Sequence, residues 1–474
     1  MQAKKMHMEG IIMESSKLEE KKYLKWYNKV GYGSGDIAGN VVYAFLSSFV
    51  MIFLTDTIGL NPGIIGTLMA VSKLFDGVTD IFFGSLIDKT HTRMGKARPW
   101  MFGGYFGCAA TLVMIFAVPT SLGVTAQYAW FFIAYTLLNA VFYTANNIAY
   151  SALTALITKN SQERVQMGSI RFMFAFGTSL LIQIITIDAV EALGGGAAGW
   201  RTIAIIYAVI GLVVNTLSCF SVHELPEDVL DETSSQAEEK KVEKYTLKDA
   251  FRLLTANKYY LMIVGIYILT QIFTAMINMG TYFTKYALGN AHYFKFFSTA
   301  VNIPQIIGLV FTPILITKTG SMFKINRAGY GLAIFGRAMV IIAGYLHSLP
   351  MMLIFTAVAA LGMSPLQGDL NALIAECSEY TFLTKKKRVD GTMFSCTSLG
   401  VKIGGGLGTA LAGWLLAAGD YTKNAVAQPS SAIHMLNFIY LWLPLILNII
   451  ILVILLRLNV EDANRKLRET GDRH

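Results

Sequence analysis

The chain has 474 residues, of which 54% are hydrophobic and 15% are charged, and its mean hydropathy is +0.51. Soluble domains carry about 25% charged residues, so this composition is typical of a polytopic membrane protein and argues against a soluble domain. The net charge of +9 lies in loops and tails, which indicates contact with lipid headgroups and no nucleic-acid partner.

The cysteines and histidines form no recognisable reactive site. All four cysteines fall in or beside apolar runs without a CxxC pair, which is typical of buried thiols. The seven histidines show no HExxH spacing, so we expect no catalytic metal, no cofactor and no enzyme activity. The first thirty residues are charged throughout, and we expect a cytoplasmic N-terminus without a signal peptide.

Apolar runs long enough to cross about 30 Å of hydrocarbon occur twelve times. They lie near residues 31–57, 62–87, 100–119, 125–156, 167–190, 200–222, 257–287, 294–317, 329–347, 349–377, 391–418 and 432–457. The sequence therefore predicts an all-α polytopic membrane protein with twelve transmembrane helices in two six-helix lobes. The predicted parts are a cytoplasmic tail (1–30), a first lobe (31–222), a cytoplasmic linker (223–256), a second lobe (257–457) and a cytoplasmic tail (458–474).

The loops predict the orientation of these spans. Those after spans one, three and nine contain no Lys or Arg, whereas those after spans two, four, eight and ten are basic. Their cations are Lys89, Arg93, Lys96, Arg98, Lys159, Arg164, Lys318, Lys324, Arg327, Lys385, Lys386, Lys387 and Arg388. We expect the protein to lie in the plasma membrane. The positive-inside rule then places both termini and the linker in the cytoplasm.

Two carboxylates lie in the middle of the second predicted span. Asp76 and Asp80 are four residues apart and share one helix face. A carboxylate in hydrocarbon costs about 2.5–3.5 kcal/mol and usually faces a cavity with a function. A salt bridge from Lys73 to Asp76 is the alternative, but it leaves Asp80 unexplained. We therefore predict that Asp76 and Asp80 bind a coupling alkali cation through their oxygens.

Other polar side chains within the spans are candidate ligands. Thr144 in span four can add a hydroxyl oxygen to the cation site, and Asn147 can exchange hydrogen bonds with a sugar hydroxyl. Hydrogen bonding to neighbouring helices explains such residues equally well. Asn40 lies one turn after Asp36 in span one, and Gln367 lies in span ten.

Two cations also lie within spans. Arg171 in span five stays charged and needs a carboxylate, carbonyl groups or a ligand, so structural pairing with an Asp and substrate binding are both open. Lys402 in span eleven has a stem long enough to reach an anionic substrate group or the Asp pair of the other lobe. Its alternative is snorkelling to an interface.

A possible gate lies near the cytoplasmic ends of the spans. Arg164 of the first lobe can pair with Glu376 or Glu379 of the second lobe and close the inward path. Ordinary surface charge near lipid headgroups is an equally good explanation.

The stretch FDGVTDIFFGSLIDKTHTRMGKARPW, from Phe75 to Trp100, resembles the second span and the following loop of the glycoside-pentoside-hexuronide:cation symporters. GYGSGDIAGN, YTANNIAYSAL, ERVQMGSIRF, ECSEY and KKKRVDGTMFSCTSLGVKIGGGLG are also similar to the family's pattern, in the family's order. The resemblance covers nearly the whole chain.

The resemblance implies a major facilitator fold that moves a sugar together with Na⁺, H⁺ or Li⁺. It implies that Asp76 and Asp80 carry the cation, with Thr144 as an auxiliary ligand. The implied sugar contacts are Asn40, Asn147, Arg171 and Lys402, to which we add Gln367 as a polar residue of span ten.

The substrate is less well specified by the resemblance. Melibiose permeases have aspartates where this chain has Asn40 and Asn147, which resembles the glucuronide and pentoside branch instead. Amides in place of carboxylates leave Arg171 and Lys402 less compensated, which favours an anionic sugar such as a hexuronide. Lipid is the other contact that we expect, and we expect a monomer. A sodium-coupled lysolipid carrier, a membrane glycosyltransferase and a passive channel are the rival functions.

Overall fold

The computed structural model describes residues 22–158, 160–226, 255–385, 390–423, 425 and 427–471. Most of the predicted linker, together with Lys159, Lys386, Lys387 and Arg388 of the predicted basic loops, lies outside these ranges.

The described chain is helical and its long helices match the twelve predicted spans one by one. They are α1 Trp26–Ile58, α2 Pro62–Asp88, α3 Arg98–Phe116, α4 Val124–Leu156, α5 Ser161–Ala192, α6 Gly196–Phe220, α7 Lys258–Ala287, α8 Tyr293–Thr319, α9 Met322–Tyr345, α10 Leu349–Lys385, α11 Asp390–Ala418 and α12 430–455. Eleven of these are long and apolar enough to cross a membrane. The remaining one, α2, carries Lys73, Asp76 and Asp80 near its middle.

The helix ends follow from local sequence. The Asn61 side chain accepts hydrogen bonds from the N–H groups of Gly63 and Ile64 and so caps α2, which begins with a proline. Asn257 caps α7 in the same way. Gly320 follows α8 with a φ of 66°, a conformation that glycine adopts without steric cost.

Two six-helix lobes, α1–α6 and α7–α12, meet mainly where α2 packs along α11 and α5 packs along α8. Glycines allow the first of these approaches. A Cβ on Gly66 would lie 2.9 Å from the carbonyl oxygen of Thr409, and one on Gly413 would lie 2.3 Å from that of Pro62. Only glycine fits this helix crossing without a shift of backbone.

The helix directions define two ends of the molecule. The starts of α1 and α7 lie at the end that we call the terminal face, together with the last helix, α13 (Val460–Gly471). α13 packs on the end of α10, where Asn464 donates to the backbone oxygen of Glu376 at 2.9 Å. The ends of α1 and α7 lie at the other end, which we call the opposite face.

At the opposite face, polar contacts join the lobes. Asp56, in a π-helical turn that ends α1, accepts hydrogen bonds from Lys285, Tyr286 and Tyr421 of the second lobe. Asp188 at the end of α5 likewise contacts His292 and Lys295 at the start of α8.

Candidate functional site

The centre of the site is the carboxylate pair of α2. Asp76 is only 8% exposed, and its Oδ1 accepts a hydrogen bond of 2.6 Å from the Thr144 hydroxyl of α4. The same hydroxyl lies 2.8 Å from the carbonyl oxygen of Asn139, in a π-helical turn of α4. The structure therefore brings together the three oxygen-bearing residues predicted for the cation.

The second lobe reaches this pair through Lys402. Its Nζ donates to Asp80 Oδ2, lies 3.3 Å from Asp76 Oδ1 and donates to the Asp76 carbonyl oxygen at 3.0 Å. Lys73 is more distant, with its Nζ 4.0 Å from Asp76 Oδ2. Two ammonium groups thus face two carboxylates in a nearly neutral cluster, and one of the ammonium groups comes from the opposite lobe.

A cavity of about 340 Å³ opens beside this cluster, between α1, α2 and α4 of the first lobe and α7 and α11 of the second. Asp76, Lys73 and Lys402 line one wall, and Asn147 lines another. The Asn147 side chain forms no hydrogen bond with any residue that the structure describes, so it can bind a ligand. The volume lies within the range of about 300–1,000 Å³ typical of small-molecule sites.

Arg171 is paired within the first lobe. Its Nε donates to Asp36 Oδ2 at 2.6 Å, and its guanidinium lies 4.1 Å from the centre of the Tyr150 ring. The Tyr150 hydroxyl donates to the same Asp36 oxygen at 3.1 Å. Asn40 donates to the backbone oxygen of Asp36 at 2.9 Å, and neither Asn40 nor Arg171 lines the cavity.

In this conformation both cations named in the hexuronide hypothesis have carboxylate partners, and the hypothesis stays a prediction. Arg171 is compensated by Asp36, and Lys402 is compensated by Asp76 and Asp80. The replacement of carboxylates by Asn40 and Asn147 therefore leaves no uncompensated cation at either position.

A family model described as MFS/sugar transport protein matches residues 31–462. The chain belongs to this family. Membership of this family shows that the chain is a transporter and not an enzyme. The predicted all-α polytopic fold is likewise confirmed.

This MFS/sugar transport protein is 28% identical to the isoprimeverose transporter of Lactiplantibacillus pentosus, over 90% of this chain and 87% of the relative. It is 26% identical to the putative glycoside/cation symporter YagG of Escherichia coli, over 92% of both chains. It is 24% identical to the glucuronide carrier protein homolog of Escherichia coli, over 86% of both. The resemblance to the glycoside-pentoside-hexuronide:cation symporters is thereby confirmed.

Solved structures with a similar fold include a bacterial homolog of the lysosomal transporter Spinster, described as inward-facing and unoccupied. It has a TM-score of 0.66 and 14% identity, over 94% of this chain and 96% of that one. The D-xylose-proton symporter has a TM-score of 0.62 and 14% identity, over 91% and 97%. At such identities the likeness shows the fold alone.

The remaining predicted residues of this sugar transport protein lie elsewhere. Gln367 lines a second, adjoining cavity and not the first. Arg164 donates to the carbonyl oxygen of Thr158, Glu376 accepts from Asn464, and Glu379 lies 3.4 Å from Arg468. Arg164 thus bonds within its own lobe and the two glutamates bond to α13, which follows the second lobe, so the pairing across the lobes stays a prediction for another conformation.

Sequence analysis missed the roles of Asp36 and Asp56. Asp36 was visible beside Asn40, and its position in an apolar span was the available signal. Asp56 lies where the first span ends, and its partner Lys285 is 229 residues away, so no local pattern connects them.

Among the described residues, no three His, Cys, Asp or Glu side chains group as a metal site. Two carboxylates and one hydroxyl are hard oxygen ligands, which suit an alkali cation better than a transition metal.

Proposed function

We propose that the chain is a secondary active symporter that couples a cation to a glycoside, pentoside or hexuronide by alternating access. The observation that carries the proposal is the contact of Lys402, from the second lobe, with Asp76 and Asp80 of the first lobe. The names of the relatives, which include a glycoside/cation symporter and an isoprimeverose transporter, support the same function.

The contact suggests how cation and sugar are coupled. A cation at the oxygens of Asp76, Asp80 and Thr144 competes with the Lys402 ammonium, because like charges repel strongly within a few ångström. The displaced ammonium then has three free donors beside the cavity that Asn147 lines. Cation binding therefore completes the sugar site. By linkage, sugar must tighten cation binding by the same factor.

The cation is Na⁺ or H⁺, and Li⁺ is a further candidate for the same oxygens. A proton acts by neutralising one carboxylate, and Na⁺ acts by direct coordination. Both displace Lys402, and only a gradient experiment separates them.

Alternating access requires that one end of the molecule opens while the other closes. The contacts of Asp56 and Asp188 with the second lobe support a closed opposite face. With the termini in the cytoplasm, a closed opposite face excludes the outward-facing state. In the outward-facing state, Arg164 then approaches Glu376 or Glu379 at the closed terminal face.

The test is uptake of radiolabelled glycosides into proteoliposomes, with and without an inward Na⁺ or H⁺ gradient. We expect gradient-driven accumulation in the native chain and loss of accumulation, with exchange retained, in Asp80→Asn. Asp420→Asn is the matched control, because Asp420 is exposed, lies outside the site and has a φ of 58°, which Asn tolerates. Accumulation that ignores both gradients and the Asp80 substitution would contradict the proposal and favour a lysolipid-type substrate.

A further inference from the structure

A second cavity of about 160 Å³ adjoins the first. It lies between α1 and α5 of the first lobe and α7, α8, α10 and α12 of the second. We call it the amide chamber, after the lining residues Gln183, Asn278, Asn302, Gln305 and Gln367. The two cavities share the lining residues Tyr43, Ser47, Thr274 and Asn278.

The amide chamber contains hydrogen-bonding groups without partners. Gln305 is only 7% exposed, and its side-chain amide bonds to no described residue. The side chains of Asn278, which is half-buried, and of Gln367, which is exposed, likewise bond to no described residue. The Ser298 hydroxyl is buried and has no partner among the described residues. Buried polar groups are normally satisfied, so Gln305 and Ser298 indicate a ligand with hydrogen-bond donors and acceptors.

The amide chamber has no charged lining. Among the described residues, no Asp, Glu, Lys, Arg or His contributes to its wall. The Arg337 guanidinium lies 5.1 Å from the centre of the Phe273 ring, is 1% exposed and does not line the chamber. A carboxylate or ammonium in the chamber would lose its hydration without gaining a counter-ion, so the chamber favours a neutral group.

Aromatic rings complete the wall. Phe273, Phe294, Phe297 and Tyr440 line the chamber, and the rings of Phe297 and Tyr440 meet edge to face at 5.8 Å. Flat apolar rings fit the C–H face of a pyranose, while amides exchange hydrogen bonds with neighbouring ring hydroxyls. This combination matches a neutral sugar ring.

We propose that the amide chamber is a subsite for an uncharged, polyhydroxylated ring, the second unit of a substrate whose first unit lies beside Lys402 and Asn147. This inference rests on the proposed function and deepens it. Gln305 and the Oδ1 of Asn302, whose Nδ2 donates to the Ser298 carbonyl oxygen at 2.8 Å, bind the second unit from one lobe. Gln183, whose Nε2 donates to the Ser179 hydroxyl at 3.3 Å, binds it from the other lobe. The chain then prefers a neutral two-unit glycoside over the corresponding monosaccharide.

The experiment is sugar exchange in proteoliposomes, which needs no cation gradient. The probes are a neutral disaccharide, its component monosaccharide and an aldobiouronic acid, in the xylo and gluco series. We expect the disaccharide to compete about tenfold better than the monosaccharide, because the chamber adds several hydrogen bonds. An aldobiouronic acid with its carboxylate on the second unit should gain no such advantage, because that unit occupies the uncharged chamber.

Gln305→Leu and Asn302→Ala should each remove most of the disaccharide advantage and leave monosaccharide exchange within about twofold of native. Gln271→Leu is the matched contrast, because Gln271 lines only the first cavity and its loss should weaken both probes alike. If both chamber variants keep the disaccharide preference of the native protein, the subsite is overturned. A preference for the aldobiouronic acid with its carboxylate on the second unit would overturn the neutrality of the chamber.

The two proposals fail in different ways. If sugar accumulation depends on Asp80 but the chamber variants keep the native disaccharide preference, the subsite alone is overturned. Absence of exchange with every sugar removes the proposed function and the subsite together.

Discussion

The Nζ of Lys402 lies 3.3 Å from Oδ1 of Asp76, although the two residues belong to different lobes. This contact connects the proposed cation ligands with the lining of the central cavity. Substitution of either residue therefore tests the proposed coupling mechanism directly.

Lys402→Gln should separate cation binding from sugar binding. Removal of the ammonium leaves Asp76 and Asp80 without their competitor, so we expect cation affinity to rise by about tenfold. Sugar affinity should fall, because the cavity loses a donor. Isothermal titration with Na⁺ and with sugar measures both. Lys423→Gln, in an exposed loop, is the control and should change neither. Weaker cation binding in Lys402→Gln would contradict the competition.

Thr144→Val should weaken cation binding without removing a charge. The hydroxyl of Thr144 donates to Asp76 at 2.6 Å, and a hydrogen bond to a charged group contributes about 1.5–3 kcal/mol. We expect roughly a tenfold higher cation concentration for half-maximal uptake. Thr144→Ser keeps the hydroxyl and should restore most of the native value. Equal behaviour of the Val and Ser variants would exclude a role for this oxygen.

Asp56 should hold the opposite face closed. It accepts hydrogen bonds from Lys285, Tyr286 and Tyr421. Burial and the nearby Tyr282 and Asp56 raise the pKa of Tyr421, so its hydroxyl remains a donor. Asp56→Asn removes the charge that pairs with Lys285 and should increase the population of the outward-open state.

Spin labels at Leu122→Cys and Lys423→Cys can measure this opening, because the two positions lie at the opposite face in different lobes. We expect a longer distance to become more populated in Asp56→Asn, and Asp420→Asn to match the native distribution. Lys285→Gln should have the same effect as Asp56→Asn, and the double variant should add little to either. Fully additive shifts would indicate that the two residues act independently.

Glu163 should stabilise the fold in a pH-dependent way. Burial opposes its ionisation, but hydrogen bonds from the Thr158 hydroxyl and the N–H groups of Leu24 and Tyr23 outweigh burial, and the pKa of Glu163 is lowered. A lowered pKa stabilises the fold above the ordinary carboxyl value of about 4.5, and this stability is lost as pH falls through the folded-state pKa.

Glu163→Gln should therefore melt at a lower temperature than the native protein at pH 7. Its free energy of unfolding should be lower by about 1–3 kcal/mol. The difference in free energy of unfolding between the two proteins should narrow as pH falls below about 4.5. Thermal unfolding in detergent at a series of pH values measures this. A difference in unfolding free energy that stays constant across the pH series would show that ionisation of Glu163 does not contribute to stability.

The helices could be predicted well from the sequence because a membrane forces each long apolar run into a helix. Even α2 was found, since its two aspartates interrupt an otherwise apolar run. The contact of Lys402 with the Asp pair was one of three alternatives for that residue, beside an anionic substrate group and snorkelling, and the geometry favours it. Pairing of Arg171 with an Asp was also an open alternative, because a buried guanidinium requires some anion, but the sequence did not identify Asp36 as the partner.

Contacts between lobes were less predictable. The cluster around Asp56 depends on how two rigid lobes tilt, and apolar periodicity contains no information about that tilt. For the same reason the pairing of Arg164 with Glu376 or Glu379 was only one of two equal alternatives, and in this conformation Arg164 bonds to Thr158 and Glu379 to Arg468. The amide chamber likewise arises only when α5 and α8 pack side by side.

The central claim is that cation and sugar are coupled through the Asp pair, and reciprocity tests it most directly. The measurement is the affinity for a transported glycoside with and without saturating Na⁺, and at high and low pH, together with the cation affinity with and without that glycoside. We predict that the effective cation raises sugar affinity and that sugar raises cation affinity by the same factor, with both effects lost in Asp80→Asn. A sugar affinity that is unaffected by Na⁺ and by pH would contradict the account.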